Sequence, residues 1–239
     1  MKIVLVTGAS SGIGEATAVR LAHEGHHVVL GARREERLAE IAAKIRADGG
    51  SVDTQRLDVA DRGEVAAFVD GAVDRHGRVD VLVNNAGVMP LSRLDSLLVA
   101  EWDRMIDVNV RGLLHGIAAA LPHFQRMGAG HFVTVASIGA HEVVPTGAVY
   151  CATKYAAWAI TEGLRLEVEP SIRVTTVSPG VVESELADSI TEAGAREMMR
   201  TYRAAAIPPE AIAEAISYAL AQPSDVDVNE MVIRPARQR

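Results

Sequence analysis

Short runs of β-branched and other apolar residues alternate along this chain with longer stretches whose apolar positions recur every three to four residues. The runs at 2–6, 27–32, 51–57, 79–85, 131–137, 172–179 and 230–235 read as strands. The stretches near 14–24, 35–47, 61–76, 101–127, 148–168, 185–205 and 209–221 carry helical periodicity. Strict alternation of the two predicts βαβ units, and therefore a doubly wound α/β fold of seven mainly parallel strands with helices on both faces. The strand runs are apolar almost throughout, as expected when both faces of a sheet are covered. No repeat, low-complexity tract or linker breaks the pattern, so residues 1–239 read as a single domain. The least regular stretch is 183–207, where charged, small and Met residues mix before a proline pair that suits the next helix start. Ligands of open α/β sheets sit beyond the carboxyl ends of the strands, so an insertion after the sixth strand is placed to act as a substrate lid.

Composition narrows the function. Hydrophobic residues make up 49% of the 239 and charged residues 23%, the balance of a globular protein with a large core. A formal net charge of −7 argues against a nucleic-acid partner, because phosphate binding needs a basic face. The single cysteine, Cys151, excludes an internal disulfide and reads as a small buried filler. The apolar opening "MKIVLVTG" is too short for a signal peptide, and no later segment reaches the ~18 apolar residues of a membrane span. The chain reads as cytoplasmic, with no membrane partner. His23, His26 and His27 cluster before the second strand and read as a solvated turn rather than a metal site, so no metal is expected.

The segment "TGASSGIG" follows the first strand and opens the first helix. Glycines at 8, 12 and 14 allow a tight turn and let backbone N–H groups approach a pyrophosphate, which makes Gly8, Ser10, Ser11, Gly12, Ile13 and Gly14 the candidate cradle of a dinucleotide. The second strand of such a unit often ends in a carboxylate that holds the adenosine ribose. Here "GARREE" supplies Arg33 and Arg34 instead, and fork-shaped guanidiniums suit a phosphate monoester. That favours NADP(H) over NAD(H).

With "NNAG" (84–87), Asn109 in "IDVNVRG", Ser137, "YCATK" (150–154) and "SPG" (178–180) following in this order, the chain resembles the short-chain dehydrogenase/reductase family over essentially its whole length. The resemblance implies a Rossmann-type domain and a role for each matching position. Tyr150 would give and take the proton, Ser137 hold the substrate oxygen, Lys154 stand as the cation beside Tyr150, and Asn109 support a water-linked proton relay. Asp58 and Val59 would border the adenine. Asn84, Ala86 and Gly87 would line the adenosine side, while Pro179, Gly180 and Val182 would face the nicotinamide. The resemblance also implies a homotetramer built on the helices at 101–127 and 148–168. Ser184 stands where the family commonly has threonine. The ending "NEMVIRPARQR" replaces an Asp-Gly-Gly turn and, with "GARR", looks more like the branch of clavulanaldehyde dehydrogenase and the NADP-dependent 3-hydroxy acid (serine) dehydrogenases.

The spacing of Tyr150 and Lys154 has its own logic. Four residues apart on a helix, they stand ~40° apart on the wheel and share a face. Moving a phenol from pKa ≈ 10 towards neutrality needs about 4 kcal/mol for ~3 units, which one cation ~4 Å away at an effective dielectric near 20 would supply. Tyr155 points away and reads as packing or interface. Met89, His141, Val143, Pro145, Leu186, Met198 and Met199 are the candidate substrate wall. These features together predict an NADP(H)-dependent carbonyl reductase or alcohol dehydrogenase. The rivals are a 3-oxoacyl thioester reductase, which the missing Asp-Gly-Gly ending disfavours, and a non-catalytic NADP(H) sensor, which the intact Ser137, Tyr150 and Lys154 disfavour.

Overall fold

The computed structural model describes residues 1–238. Seven strands among them form one sheet: β1 (Ile3–Thr7), β2 (His27–Ala32), β3 (Ser51–Arg56), β4 (Val81–Asn84), β5 (Gly130–Val135), β6 (Ile172–Pro179) and β7 (Glu230–Ile233). Their order is β3-β2-β1-β4-β5-β6-β7, and every pairing is parallel, so "mainly parallel" narrows to wholly parallel. Strand order reverses between β1 and β4, which opens a crevice at their carboxyl ends.

Right-handed crossovers of this kind put alternate strand side chains into two different cores. On one face Val4, Val6, Val28 and Leu30 meet α1 (Gly12–His23), α2 (Glu35–Ala47) and α8 (Glu210–Ala221). On the other, Leu5, Val29, Leu82 and Phe132 meet α3 (Arg62–His76), α5 (Gly112–Met127) and α6 (Ala148–Glu167). The α3 start is fixed by the Asp61 carboxylate, which accepts from the N–H of Gly63 at 2.7 Å and of Glu64 at 3.0 Å.

Three elements differ from the sequence pattern. The helix expected over 101–127 is α4 (Val99–Ile106) and α5 joined by a π-helical segment, Asp107–Arg111, that carries Asn109. The helix expected over 185–205 is a 3₁₀ turn, Glu185–Ser189, then α7 (Ala193–Tyr202) and a second 3₁₀ turn. The strand expected over 131–137 stops at Val135, so Ser137 lies two residues past it and caps a 3₁₀ turn, its hydroxyl accepting from Gly139 N–H at 3.0 Å. His27 also corrects the solvated-turn expectation: it is the buried first residue of β2. Among the described residues no helix is long and apolar enough to cross a membrane.

Candidate active site

A cleft of about 480 Å³ runs along the carboxyl ends of the strands, from the loop after β1 to the segment after β6. Its floor at one end is the glycine loop. Gly8 and Gly12 take φ of +65° and +55°, a left-handed conformation that favours glycine. A Cβ on Gly8 would stand 2.8 Å from the Cα of Ala86, so only glycine lets the loop lie this close to the β4 turn. Gly14 does not line the cleft. It faces back into the loop, where a Cβ would stand less than 2.5 Å from the Gly8 carbonyl oxygen, so its function is close helix packing.

Thr7, which sequence did not single out, and Asn85 of the NNAG turn lock this junction. The Thr7 hydroxyl accepts from the N–H groups of Asn85 and Ala86, each at 3.1 Å, while the Asn85 amide donates to the carbonyls of Thr7 at 2.9 Å and Gly8 at 3.2 Å. Asn84 corrects an expectation. As the last residue of β4 it points beneath the cleft against Gly116, and its Nδ2 lacks a protein partner. Alternation along the strand sends its neighbour Asn85 to the cleft instead. Ser10, Ser11, Ile13, Arg33, Arg34, Asp58, Val59, Ala86, Gly87, Pro179, Gly180 and Val182 all line it. Arg34 donates to the hydroxyls of Ser10 at 3.1 Å and Ser11 at 2.9 Å, binding the mouth of the cleft to the glycine loop. Backbone donors, glycines without side-chain bulk and two guanidiniums at one end fit a phosphorylated dinucleotide.

At the other end Ser137, Tyr150 and Lys154 converge. All three line the cleft, and the Lys154 ammonium lies 5.9 Å from the centre of the Tyr150 ring. It donates to the Val135 carbonyl at 3.0 Å. Burial pushes the Tyr150 phenol up to about 12, with the Ser137 hydrogen bond pulling the other way. Burial alone lowers the Lys154 amine to about 8. A positive charge beside the ring opposes the effect of burial on the phenol.

Asn109 sits behind this group, buried and outside the cleft. Its Oδ1 accepts from Val88 N–H at 2.8 Å, and its Nδ2 donates to Val88 O and to Thr153 Oγ1, both at 3.0 Å. Thr153 in turn donates to the Tyr150 carbonyl at 2.7 Å. The Asn109 side chain thus ties α6 to the loop after β4. Its amide protons are fully committed.

The segment after β6 is pinned at both ends by a bridge between Val182 and Ile207, with Glu183 N–H donating to Ile207 O at 2.9 Å and Ile207 N–H to Val181 O at 3.0 Å. Between these ends Ile190 and Ala195 bury themselves with Leu91, and Met89, Met199, Ala187 and Tyr150 pack against them. Of the expected substrate wall, Met89, Leu186 and Met199 line the cleft. Met198 does not: one residue along α7 turns it ~100° away into solvent. Val143 and Pro145 lie exposed on the outer side of their loop, where Glu142 and Val144 take the inner positions. His141 is held away by Glu230 Oε1 at 2.8 Å and Ser178 Oγ at 3.1 Å. Gln238 was invisible to sequence reasoning. Its Oε1 accepts from Val181 N–H at 3.0 Å and its Nε2 donates to the Tyr202 hydroxyl, so the chain end braces both the β6 loop and α7.

Known proteins resemble this chain in sequence and fold. A profile of the short chain dehydrogenase family matches residues 2–195. An uncharacterized oxidoreductase of Staphylococcus saprophyticus is 47% identical over 240 residues, covering 99% of this chain and 97% of the relative. An alcohol dehydrogenase from the archaeon Thermococcus sibiricus, complexed with 5-hydroxy-NADP, superposes with a TM-score of 0.89 at 34% identity, covering 100% of this chain and 98% of its own. A closed form of serine dehydrogenase with NADP⁺ gives 0.88 at 30% identity, with coverage of 96% and 93%. A short-chain dehydrogenase/reductase from Burkholderia phymatum with NAD gives 0.88 at 27% identity, covering 97% and 88%.

Proposed function

Since the chain belongs to the short-chain dehydrogenase family, we propose that it is an NADP(H)-dependent oxidoreductase that interconverts a small ketone or aldehyde and the corresponding alcohol, with Tyr150 as general acid and base. The observation that carries this is the convergence of Ser137, Tyr150 and Lys154 at one end of a cleft whose other end offers Arg33, Arg34 and the glycine loop. NADP(H), when bound, supplies or takes the hydride at the carbonyl carbon. The backbone donors of Gly12 and Ile13 bind its pyrophosphate, and Arg33 and Arg34 bind the 2′-phosphate.

Ser137 presents a hydroxyl to the carbonyl oxygen, and the Tyr150 phenol delivers a proton to that oxygen during reduction or removes it during oxidation. Burial keeps the phenol protonated at neutral pH but opposes release of that proton, and Lys154 lowers the cost of the phenolate that remains. Asn109 supports proton movement by fixing Tyr150 through Thr153. Residues 183–207 act as the lid, with Met89, Leu91, Leu186 and Met199 forming an apolar pocket for a small substrate and Ile190 packed behind it. A homotetramer packed through α5 and α6 is supported by the exposed Leu114, Tyr155 and Leu166, and a cytoplasmic location by the lone buried thiol.

The test is the reduced-nicotinamide absorbance of NADPH during incubation with a panel of small ketones and aldehydes, and of NADP⁺ with alcohols and hydroxy acids. Turnover by the wild type and its loss in Tyr150→Phe are expected. Tight NADPH binding without turnover across the panel would replace the enzyme by a nucleotide sensor.

A further inference from the structure

His27, Asp53 and His76 form a compact cluster at the end of the sheet opposite the cleft. His27 opens β2 and pairs in register with Ser51, so Ser51 and Asp53, two residues on, project to the same face as His27. That face packs on α3, as Val29 against Phe68 and Val69 shows, and His76 is the last residue of α3. Three separate elements therefore deliver one ligand atom each to a single point. The Asp53 Oδ2 lies 2.8 Å from Nε2 of His76 and 3.3 Å from Nε2 of His27, and all three ligand atoms fall within 4.8 Å of one another.

We propose that these residues bind a divalent transition-metal ion, Zn²⁺ by preference, with water in the fourth position. Donors at ~2.0–2.1 Å from a tetrahedral zinc stand roughly 3.3 Å apart, and the observed spacings bracket that edge. Two imidazoles and one carboxylate are borderline ligands that suit zinc better than calcium or magnesium. The His27 Nδ1 is 2.5 Å from Ser51 Oγ, an outer-shell bond that orients the ring and leaves Nε2 for the metal. The carbonyl end of α3 adds partial negative charge beside His76. One cation shares the cluster: Arg75 Nε lies 3.4 Å from the same carboxylate oxygen, and its side chain is 43% exposed, free to turn to solvent when the metal enters. In the bound form the ion would clamp β2, β3 and the end of α3.

The experiment uses the full chain without a histidine tag, stripped with chelator and titrated with ZnCl₂ against a chromophoric competitor, with CoCl₂ as a spectroscopic probe. The expected result is one equivalent bound at micromolar affinity or tighter, a visible Co²⁺ band of tetrahedral type, and a rise in melting temperature with zinc. His76→Gln and Asp53→Asn should each weaken binding at least about tenfold and abolish the Co²⁺ band, while leaving NADPH affinity unchanged. NADPH affinity confirms that the variants fold, and it is independent of the metal readout. Absence of saturable binding at one equivalent, or binding that survives both substitutions, would overturn the site.

Discussion

Arg34 and Glu185 meet across the mouth of the cleft, Nη1 to Oε2 at 2.8 Å, so the guanidinium that also holds the glycine loop is partnered by the first residue of the 3₁₀ turn after β6. The Arg34 guanidinium in turn holds the Glu185 carboxyl below its usual range. A 2′-phosphate bound at Arg34 competes with this carboxylate and is repelled by it. Both side chains are about half exposed, so the pair is worth ~0–1 kcal/mol, or up to about fivefold in affinity. Glu185→Gln is expected to lower the KM for NADPH by up to that factor and leave NADH unchanged. Arg34→Ala should raise the KM for NADPH at least about tenfold. Parallel measurements with both cofactors decide the point, since equal effects on the two would remove Arg34 from phosphate recognition.

Tyr150 and Lys154 should separate in a pH profile. Tyr150→Phe keeps the ring but loses the transferable proton, and kcat should fall ~10²–10⁴-fold with NADPH affinity intact. Alcohol oxidation needs the phenolate, so its rate rises with pH through the phenol pKa. Lys154→Met removes the cation beside the phenol and should move that limb to higher pH. A limb that stays in place would show that the ammonium, aimed at Val135, does not govern the phenol.

Thr153 links Asn109 to the carbonyl of Tyr150, and Thr153→Val deletes that link without changing shape. The Asn109 amide then keeps a buried N–H without a partner, a cost of about 1–3 kcal/mol that urea unfolding would register. A positioning role further requires kcat to fall while NADPH affinity holds. Lost stability with unchanged kcat would leave Thr153 as structure only.

The periodicity that revealed the sheet and the Tyr150–Lys154 face is blind to direction at element ends. Asn84 and Asn85 differ only in which way the last pleat of β4 throws them, and Met198 and Met199 only in one step around α7. A π segment adds one residue to a turn without disturbing a long apolar pattern, so 101–127 read as continuous helix while Asn109 sat in the irregular part. Contacts made across long separations left no local trace at all. Gln238 reaches Val181 over 57 residues, and Glu230 holds His141 out of the cleft although the loop position of His141 suggested substrate contact.

His131 should make the protein acid-sensitive. It is buried in β5 with Nε2 2.8 Å from Thr175 Oγ1, while Nδ1 has no protein partner. Burial, reinforced by the positive charges of Arg173 and Lys2, pushes its pKa down to about 3. In the unfolded chain the imidazole titrates near ~6.5, so between that value and about 3 the unfolded state binds the extra proton and stability falls as pH falls. The loss is about 2 kcal/mol at pH ~5 and grows towards about 5 kcal/mol near pH ~3. His131→Gln keeps a polar partner for Thr175 and cannot titrate. Its unfolding free energy in urea should therefore decline less than that of the wild type by about 2 kcal/mol between pH ~7 and ~5, with carboxylate contributions cancelling in the difference. Parallel curves for the two proteins would mean that water or a local opening lets His131 take up its proton in the folded state.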